Sequence, residues 1–364
     1  MKNDIKFLHA FNRIPGIGPA TLRALKEHYR SFEEAWRASD DDLRRAGIAP
    51  RAVASIQWKR ASIHPDREMG QMVREGIWMI TEEDDSFPRM LKEIPQPPIA
   101  LYGKGDGTLF ANAASIFFAI VGTRKPTHYG METTETIAHG LAMHHIIIVS
   151  GLATGIDTRA HHAALECGGK TIAVLGSGVD RQSIFPPENI SLAKRIADSG
   201  GIVVSEYSPG THAAREHFPQ RNRIISGLSR GVLVVEAREK SGALITARLA
   251  LDQNRDVFAI PGPIFSPASQ GPNKLIQEGA KLTRSHEDIL QEFGIEYTQK
   301  EARKEMGVLD EKELMLLEAL SDPEGIGALK EKTGLAVPDI IATLSMLELK
   351  GYVKNRGADV YQKI

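Results

Sequence analysis

Ser115-Ile116-Phe117-Phe118-Ala119-Ile120-Val121-Gly122-Thr123-Arg124 opens a pattern that the chain then repeats. It returns as Ile146-Ile147-Ile148-Val149-Ser150-Gly151-Leu152-Ala153-Thr154-Gly155-Ile156-Asp157, and again as Thr171-Ile172-Ala173-Val174-Leu175-Gly176-Ser177-Gly178. Runs at 202–205, 232–236 and 257–260 keep the rhythm. Each pass is a short β-branched run, then glycines, then a stretch with helical periodicity. Continuous apolar strands alternating with helices predict an α/β protein with a doubly wound parallel sheet covered on both faces. In such sheets ligands sit at the carboxyl ends of the strands, where these glycines stand. Glycine permits close backbone approach, and helix N-termini carry partial positive charge, so the rim suits phosphates. Gly122 and Gly151 are its first two members.

Spacing argues against the familiar nucleotide cofactors. A dinucleotide fingerprint needs G-x-G-x-x-G, but Gly176-Ser177-Gly178-Val179-Asp180-Arg181 has arginine in the last position. A triphosphate loop needs G-x-x-x-x-G-K-[ST]. Gly169-Lys170-Thr171 supplies only its end, with Ala164 at the first glycine position and the strand following the motif. Neither NAD, FAD nor a nucleoside triphosphate is expected, and no cofactor is. A sugar-phosphate chain explains several shallow glycine loops along one rim better.

With 45 Lys and Arg against 46 Asp and Glu, the net charge of −1 provides no global field for nucleic acid. Cations gather locally instead. Arg124 and Lys125 follow the first strand, Lys240-Ser241-Gly242 follow the 232–236 strand, and His212 to Gly231 holds Arg215, Arg221, Arg223 and Arg230 against the single acid Glu216.

The length of 364 residues and a hydrophobic content of 42% allow two or three domains. One cysteine, Cys167, offers no disulfide framework; no run approaches membrane-spanning length and the start has no signal-peptide pattern, so a cytoplasmic protein is expected. Composition divides the chain into a helical head at 1–70, a strand-rich block at 76–290, a charged connector at 291–307 and a tail at 307–364. In the head, Gly16-Ile17-Gly18-Pro19-Ala20 recurs as Gly47-Ile48-Ala49-Pro50-Arg51. Proline at the first helical position after a glycine turn suits a helix-hairpin-helix (SAM-like) domain, which fits either DNA binding or protein contacts. The tail reads as a winged helix, with helices at 312–320, 326–332 and 338–350 and a hairpin joining 352–353 to 360–361 around Gly357. Its third helix offers Asp339, Thr343, Ser345 and Glu348 but only Lys350 as a cation, which favours an accessory role over base reading.

Asp157 and His161 stand four apart with Ser150 upstream, a hydrolase-like set, yet Asp157 occupies an N-cap position. The pairs His144-His145 and His161-His162 do not suit a shared metal, so none is expected. Tyr129, Tyr207 and Phe218 flank the rim and could stack on bases.

Six ordered motifs resemble the DNA processing protein A (DprA/Smf) family: 121–124, 150–161, 175–180, 205–210, 218–229 and 240–247, with a lead-in at 80–91 and 100–105. The resemblance covers 76–290. It implies an extended Rossmann-like domain that binds single-stranded DNA without catalysis, forms a homodimer and loads RecA onto incoming strands during natural transformation. By that resemblance Arg124 and Lys240 contact phosphates, and Ser241 and Gly242 supply amides. Thr123 and Ala243 replace residues that are commonly serine in the family, removing no charge. Two other readings stand beside it. A lonely-guy type phosphoribohydrolase needs Pro-Gly-Gly-x-Gly-Thr-x-x-Glu, for which the chain offers only Ile260-Pro261-Gly262-Pro263. A winged-helix transcription regulator needs a more basic third helix.

Overall fold

The six repeated runs become parallel strands buried on both faces. The computed structural model describes residues 4–295, 310–349, 352–357 and 359–363. Its main sheet comprises β1 (Trp78–Thr81), β2 (Ala100–Gly105), β3 (Phe117–Val121), β4 (Ile147–Ser150), β5 (Thr171–Val174), β6 (Ile202–Ser205), β7 (Gly231–Val234), β8 (Asp256–Ala259) and β9 (Lys281–Leu282). The order is β1-β2-β6-β5-β4-β3-β7-β8-β9. Pairing is parallel from β6 through to β9, whereas β2 joins β6 and β1 joins β2 antiparallel. The sheet is therefore mixed rather than wholly parallel. The antiparallel edge falls in the lead-in segment, where Gly103 and Gly105 interrupt the apolar run that marks the other strands.

The chain steps outward from β3 through β4 and β5 to β6, then returns to place β7 on the other side of β3. The sheet order thus reverses between β3 and β7, which run in register as Phe118↔Gly231 to Val121↔Val234. A crevice forms outside the carboxyl ends of two such strands because their crossover helices leave on opposite faces.

The head contributes α1 (Ile5–Asn12), α2 (Pro19–His28), α3 (Phe32–Arg37), α4 (Asp40–Arg45), α5 (Pro50–Arg60) and α6 (Pro65–Arg74). Gly16 and Gly47 adopt φ of +83° and +77°, a conformation that favours glycine. Gly18 and Ala49 both stand at N-caps with negative φ, so the second copy of the repeat needs no second glycine. Helices α7 (Arg89–Lys92), α8 (His128–Met143), α9 (Ile156–Glu166), α10 (Ile190–Asp198), α11 (His217–Leu228), α12 (Gly242–Asp252), α13 (Gln270–Gln277) and α14 (His286–Glu292) accompany the sheet.

Head and sheet form one compact unit, Met1–Gly294. The C-terminal end of α1 rests on the β6–α11 loop: Asn12 donates to Glu206 O, Arg13 to Pro209 O, and Ser208 donates back to Asn12 O. Buried His9 meets the hydroxyl of Tyr102 at 3.2 Å.

The second unit contains helices Glu311–Ala319, Ile326–Thr333 and Val337–Leu349, with strands β10 (Glu324–Gly325), β11 (Val353–Asn355) and β12 (Val360–Lys363) in the antiparallel order β10-β12-β11. Leu316, Leu329, Ile340, Leu344, Leu347, Val353 and Tyr361 make its core. Lys350 and most of the 291–307 connector lie outside the described residues.

Candidate nucleic-acid interface

The β3 and β7 carboxyl ends are tied together. Thr123 N donates to Glu236 O at 2.7 Å, and Val235 N to Val121 O at 3.1 Å. The buried Glu236 carboxylate then accepts from Thr127 N at 2.9 Å and from the Thr127 hydroxyl at 2.5 Å. Thr127 is the N-cap of α8, its hydroxyl also accepting from Gly130 N. A single carboxylate at the end of β7 thereby fixes the loop that carries Arg124 and Lys125. Both cations are exposed, as is Lys240 in the β7–α12 loop. Among the described residues none of the three is in an ion pair. Ser241 caps α12 by accepting from Ala243 N at 3.3 Å, and beside Gly242 nothing lies within 4 Å of where a Cβ would stand. The expected Ser241 amide is not free, since Ser241 N donates to Arg238 O at 3.0 Å; at the start of this 11-residue helix the position open to an anion is Gly242.

Next to Arg124 lies a cavity of about 220 Å3 lined by Gly151, Thr154, Phe185, Glu188, Phe218 and Arg221, among others. The Arg124 guanidinium stands 5.4 Å from the centre of the Phe218 ring, which lies 5.8 Å from that of Phe185. The cavity thus combines two aromatic rings with two guanidinium groups, a set that can take a planar base and its phosphate.

Arg221 is placed differently from the other cations. It is 4% exposed, and its Nη1 donates to Gly151 O at 2.7 Å and to Val174 O. A Cβ on residue 151 would stand 2.5 Å from Nη2 of Arg221, so glycine there makes room for the guanidinium. Burial lowers its pKa to about 10 against the opposing influence of Asp157, leaving it charged at neutral pH. Burial pushes the Asp157 carboxyl up, and Arg221 with the amides of Ala153 and Gly151 opposes this.

Several sequence expectations change here. Asp157 is not the cap of α9: Gly155, at φ +84°, holds that position, and Asp157 closes the preceding loop by accepting from Gly151 N at 3.0 Å. The glycine amides form no free cradle of the kind expected, since Gly151 N is held by Asp157 and Gly178 N by Thr211 O. Gly122 serves packing, because a Cβ there would come within 2.6 Å of Ile156. The arginines of 212–231 do not make one patch. Arg223 is paired with the buried carboxylate of Glu206, whose pKa burial raises against the pull of that arginine. Arg230 precedes β7 at the amino edge of the sheet, where its guanidinium stacks 4.3 Å over Phe293. Ser150 and His161 make no nucleophile-base pair. Ser150 Oγ donates to Ile120 O at 2.6 Å, and His161 Nδ1 lies 2.6 Å from Thr171 Oγ1, whose own proton goes to Ile148 O. Phe185 and Glu188 line the cavity without belonging to any motif that singled them out.

Residues 78–294 match the family model described as DNA recombination-mediator protein A. Protein Smf of Synechocystis is 34% identical across 97% of this chain and 97% of its own length. DNA processing protein DprA of Bacillus subtilis is 46% identical across 62% of this chain and 75% of its own. The X-ray structure of DNA processing protein A from Streptococcus pneumoniae superposes with a TM-score of 0.66 at 36% identity, covering 80% of this chain and 99% of that one. DNA processing protein A from Helicobacter pylori, solved for its single-stranded DNA binding mode, superposes with a TM-score of 0.54 at 31% identity, covering 60% and 97%. With its repeated strand-and-glycine motifs folded into this sheet and matched over these lengths, the chain belongs to the DNA recombination-mediator protein A family.

Proposed function

We propose that this protein binds single-stranded DNA along the carboxyl rim of its sheet and, as a cytoplasmic homodimer, passes the strand to RecA in recombination or natural transformation. The observation that carries the reading is the pairing of Arg124 with Lys240. Both are exposed and without an ion pair among the described residues, on loops joined by Glu236 where the sheet order reverses. Lys125, Ser241, Gly242 and the aromatic cavity extend that surface. Arg221 shapes the cavity from inside, whereas Arg223 is held in its ion pair with Glu206. The head, read as a helix-hairpin-helix domain, and the tail, read as a winged helix, act as accessories to partner contacts. Binding uses base faces and phosphates rather than base edges, so little sequence preference follows.

Fluorescence anisotropy with random-sequence single strands and duplexes, repeated across salt concentrations, tests this. Single strands are expected to bind more tightly, with log affinity falling against log salt by about 0.7 per phosphate contacted. Preference for duplex, or affinity indifferent to salt, refutes it. Capture of RecA that depends on single-stranded DNA tests the second half.

A further inference from the structure

The loop after β8 presents Ile264 and Phe265 to solvent, 75% and 92% exposed, in a segment that is otherwise firmly held. Ser266 N donates to Pro263 O at 2.9 Å, closing a turn with these two apolar side chains at its tip. Behind the tip, Asn273 bonds Gly262 twice, accepting from its N at 3.2 Å and donating to its O at 3.0 Å. Three further bonds join the loop and the start of α13 to the rim. Tyr129, five residues after Arg124, donates its hydroxyl to Pro261 O at 2.9 Å. Ala237, three residues before Lys240, donates to Ala268 O at 2.8 Å and accepts from Gly271 N at 2.9 Å. The turn is thus pinned at one end to the element following Arg124 and at the other to the loop leading to Lys240.

We infer that Phe265, supported by Ile264, is a stacking platform for a base of the bound strand, extending the track beyond the Arg124–Lys240 crevice across the end of β8. This inference rests on the proposed binding of single-stranded DNA. A rigidly held aromatic in water gains by covering its face, and beside two phosphate-binding cations the flat apolar surface available is a nucleobase. The sheet order continues from β3 and β7 to β8, so a strand that neutralises Arg124 and Lys240 runs on toward this turn.

The test compares oligothymidine with an abasic oligomer of the same length, on the intact protein and on Phe265→Ala and Phe265→Trp. Stacking of this kind implies that Phe265→Ala weakens oligothymidine binding about tenfold. The salt slope should not change, because no phosphate contact is lost. Abasic oligomer should bind the intact protein and Phe265→Ala equally. Phe265→Trp should bind oligothymidine as the intact protein does, with the new indole fluorescence quenched by it. Undiminished oligothymidine binding by Phe265→Ala overturns the inference. So does a change in sedimented mass that accounts for the loss, since the tip would then be a contact between proteins. If the intact protein binds no single strand, the proposed function fails instead, and the two failures are distinct.

Discussion

Among the cations of the rim, surroundings decide role. Arg124 and Lys240 are exposed and unpaired within the described residues, so their charge is available to a ligand. A charge-assisted bond to phosphate contributes about 1.5–3 kcal/mol, which is roughly tenfold or more in affinity. Arg124→Ala and Lys240→Ala are each expected to weaken single-strand binding by about tenfold and flatten the salt slope, with the unfolding midpoint in urea unmoved. An ordinary surface charge would shift affinity by under ~0.5 kcal/mol, so near-unchanged binding by the folded double variant removes both from the site. Arg221 predicts the opposite pattern. Its loss leaves buried Asp157 without a nearby cation and strips donors from Gly151 O and Val174 O. Arg221→Ala should therefore lower stability by about 3–5 kcal/mol, read as a lower urea midpoint. The sequence shows four arginines in one stretch but not which face of α11 each occupies. Residues 221 and 223, two apart on a helix, point to well-separated directions.

At the level of elements, the strands were legible because burial on both faces writes itself as unbroken apolar runs. Observed β3 to β8 fall on the six runs read from the sequence. The antiparallel edge was not legible, since β1 has four residues and β2 carries two glycines that serve neighbours rather than strand propensity. At Gly103 a Cβ would collide with the Trp78 ring. Of the candidate site, the exposed cations could be read from their positions after strands. The cavity could not, because Phe185 and Glu188 come from an irregular segment brought over by the path between β5 and α10. Glu236 is illegible for a related reason: an acid at a strand end looks solvated until the helix it anchors is in place. It joins β7 to the N-terminus of α8 by two bonds, each to a charged acceptor. Glu236→Ala should cost about 2–3 kcal/mol of stability. It should also weaken single-strand binding while leaving the salt slope intact, because the Arg124 loop slackens without losing a charge. A variant of full stability would show that the loop is held by something else.

For the molecule as a whole, two buried histidines, His9 at the joint between head and sheet and His161 in α9, make stability depend on acid. Burial, with a smaller push from Arg13, lowers the pKa of His9 from 6.5 to about 4, and burial lowers that of His161 to about 3. Both bind protons more readily when unfolded, so stability is complete above 6.5 and is lost as pH falls toward those values. For His9 the loss amounts to about 3 kcal/mol. Thermal unfolding followed from pH 7 downward should show a falling midpoint, with a shallower fall in His9→Gln; identical profiles would place the sensitivity elsewhere. The second unit enters function on different terms. The exposed cations of the rim, the aromatic cavity and the Phe265 turn all lie within Met1–Gly294, which has its own cores in the sheet and in the head. In the tail, the helix Val337–Leu349 carries Asp339 and Glu348 but no lysine or arginine, and Asp339 is already paired with Lys312. Such a surface offers phosphates little, because backbone affinity comes from cations that displace counterions. Removing residues 307–364 is accordingly expected to leave single-strand affinity within about twofold and the salt slope unchanged. Anisotropy on the truncated and full chains, side by side at two salt concentrations, decides the matter. A loss as large as that from Arg124→Ala, together with a shallower slope, would mean that the tail supplies phosphate contacts of its own.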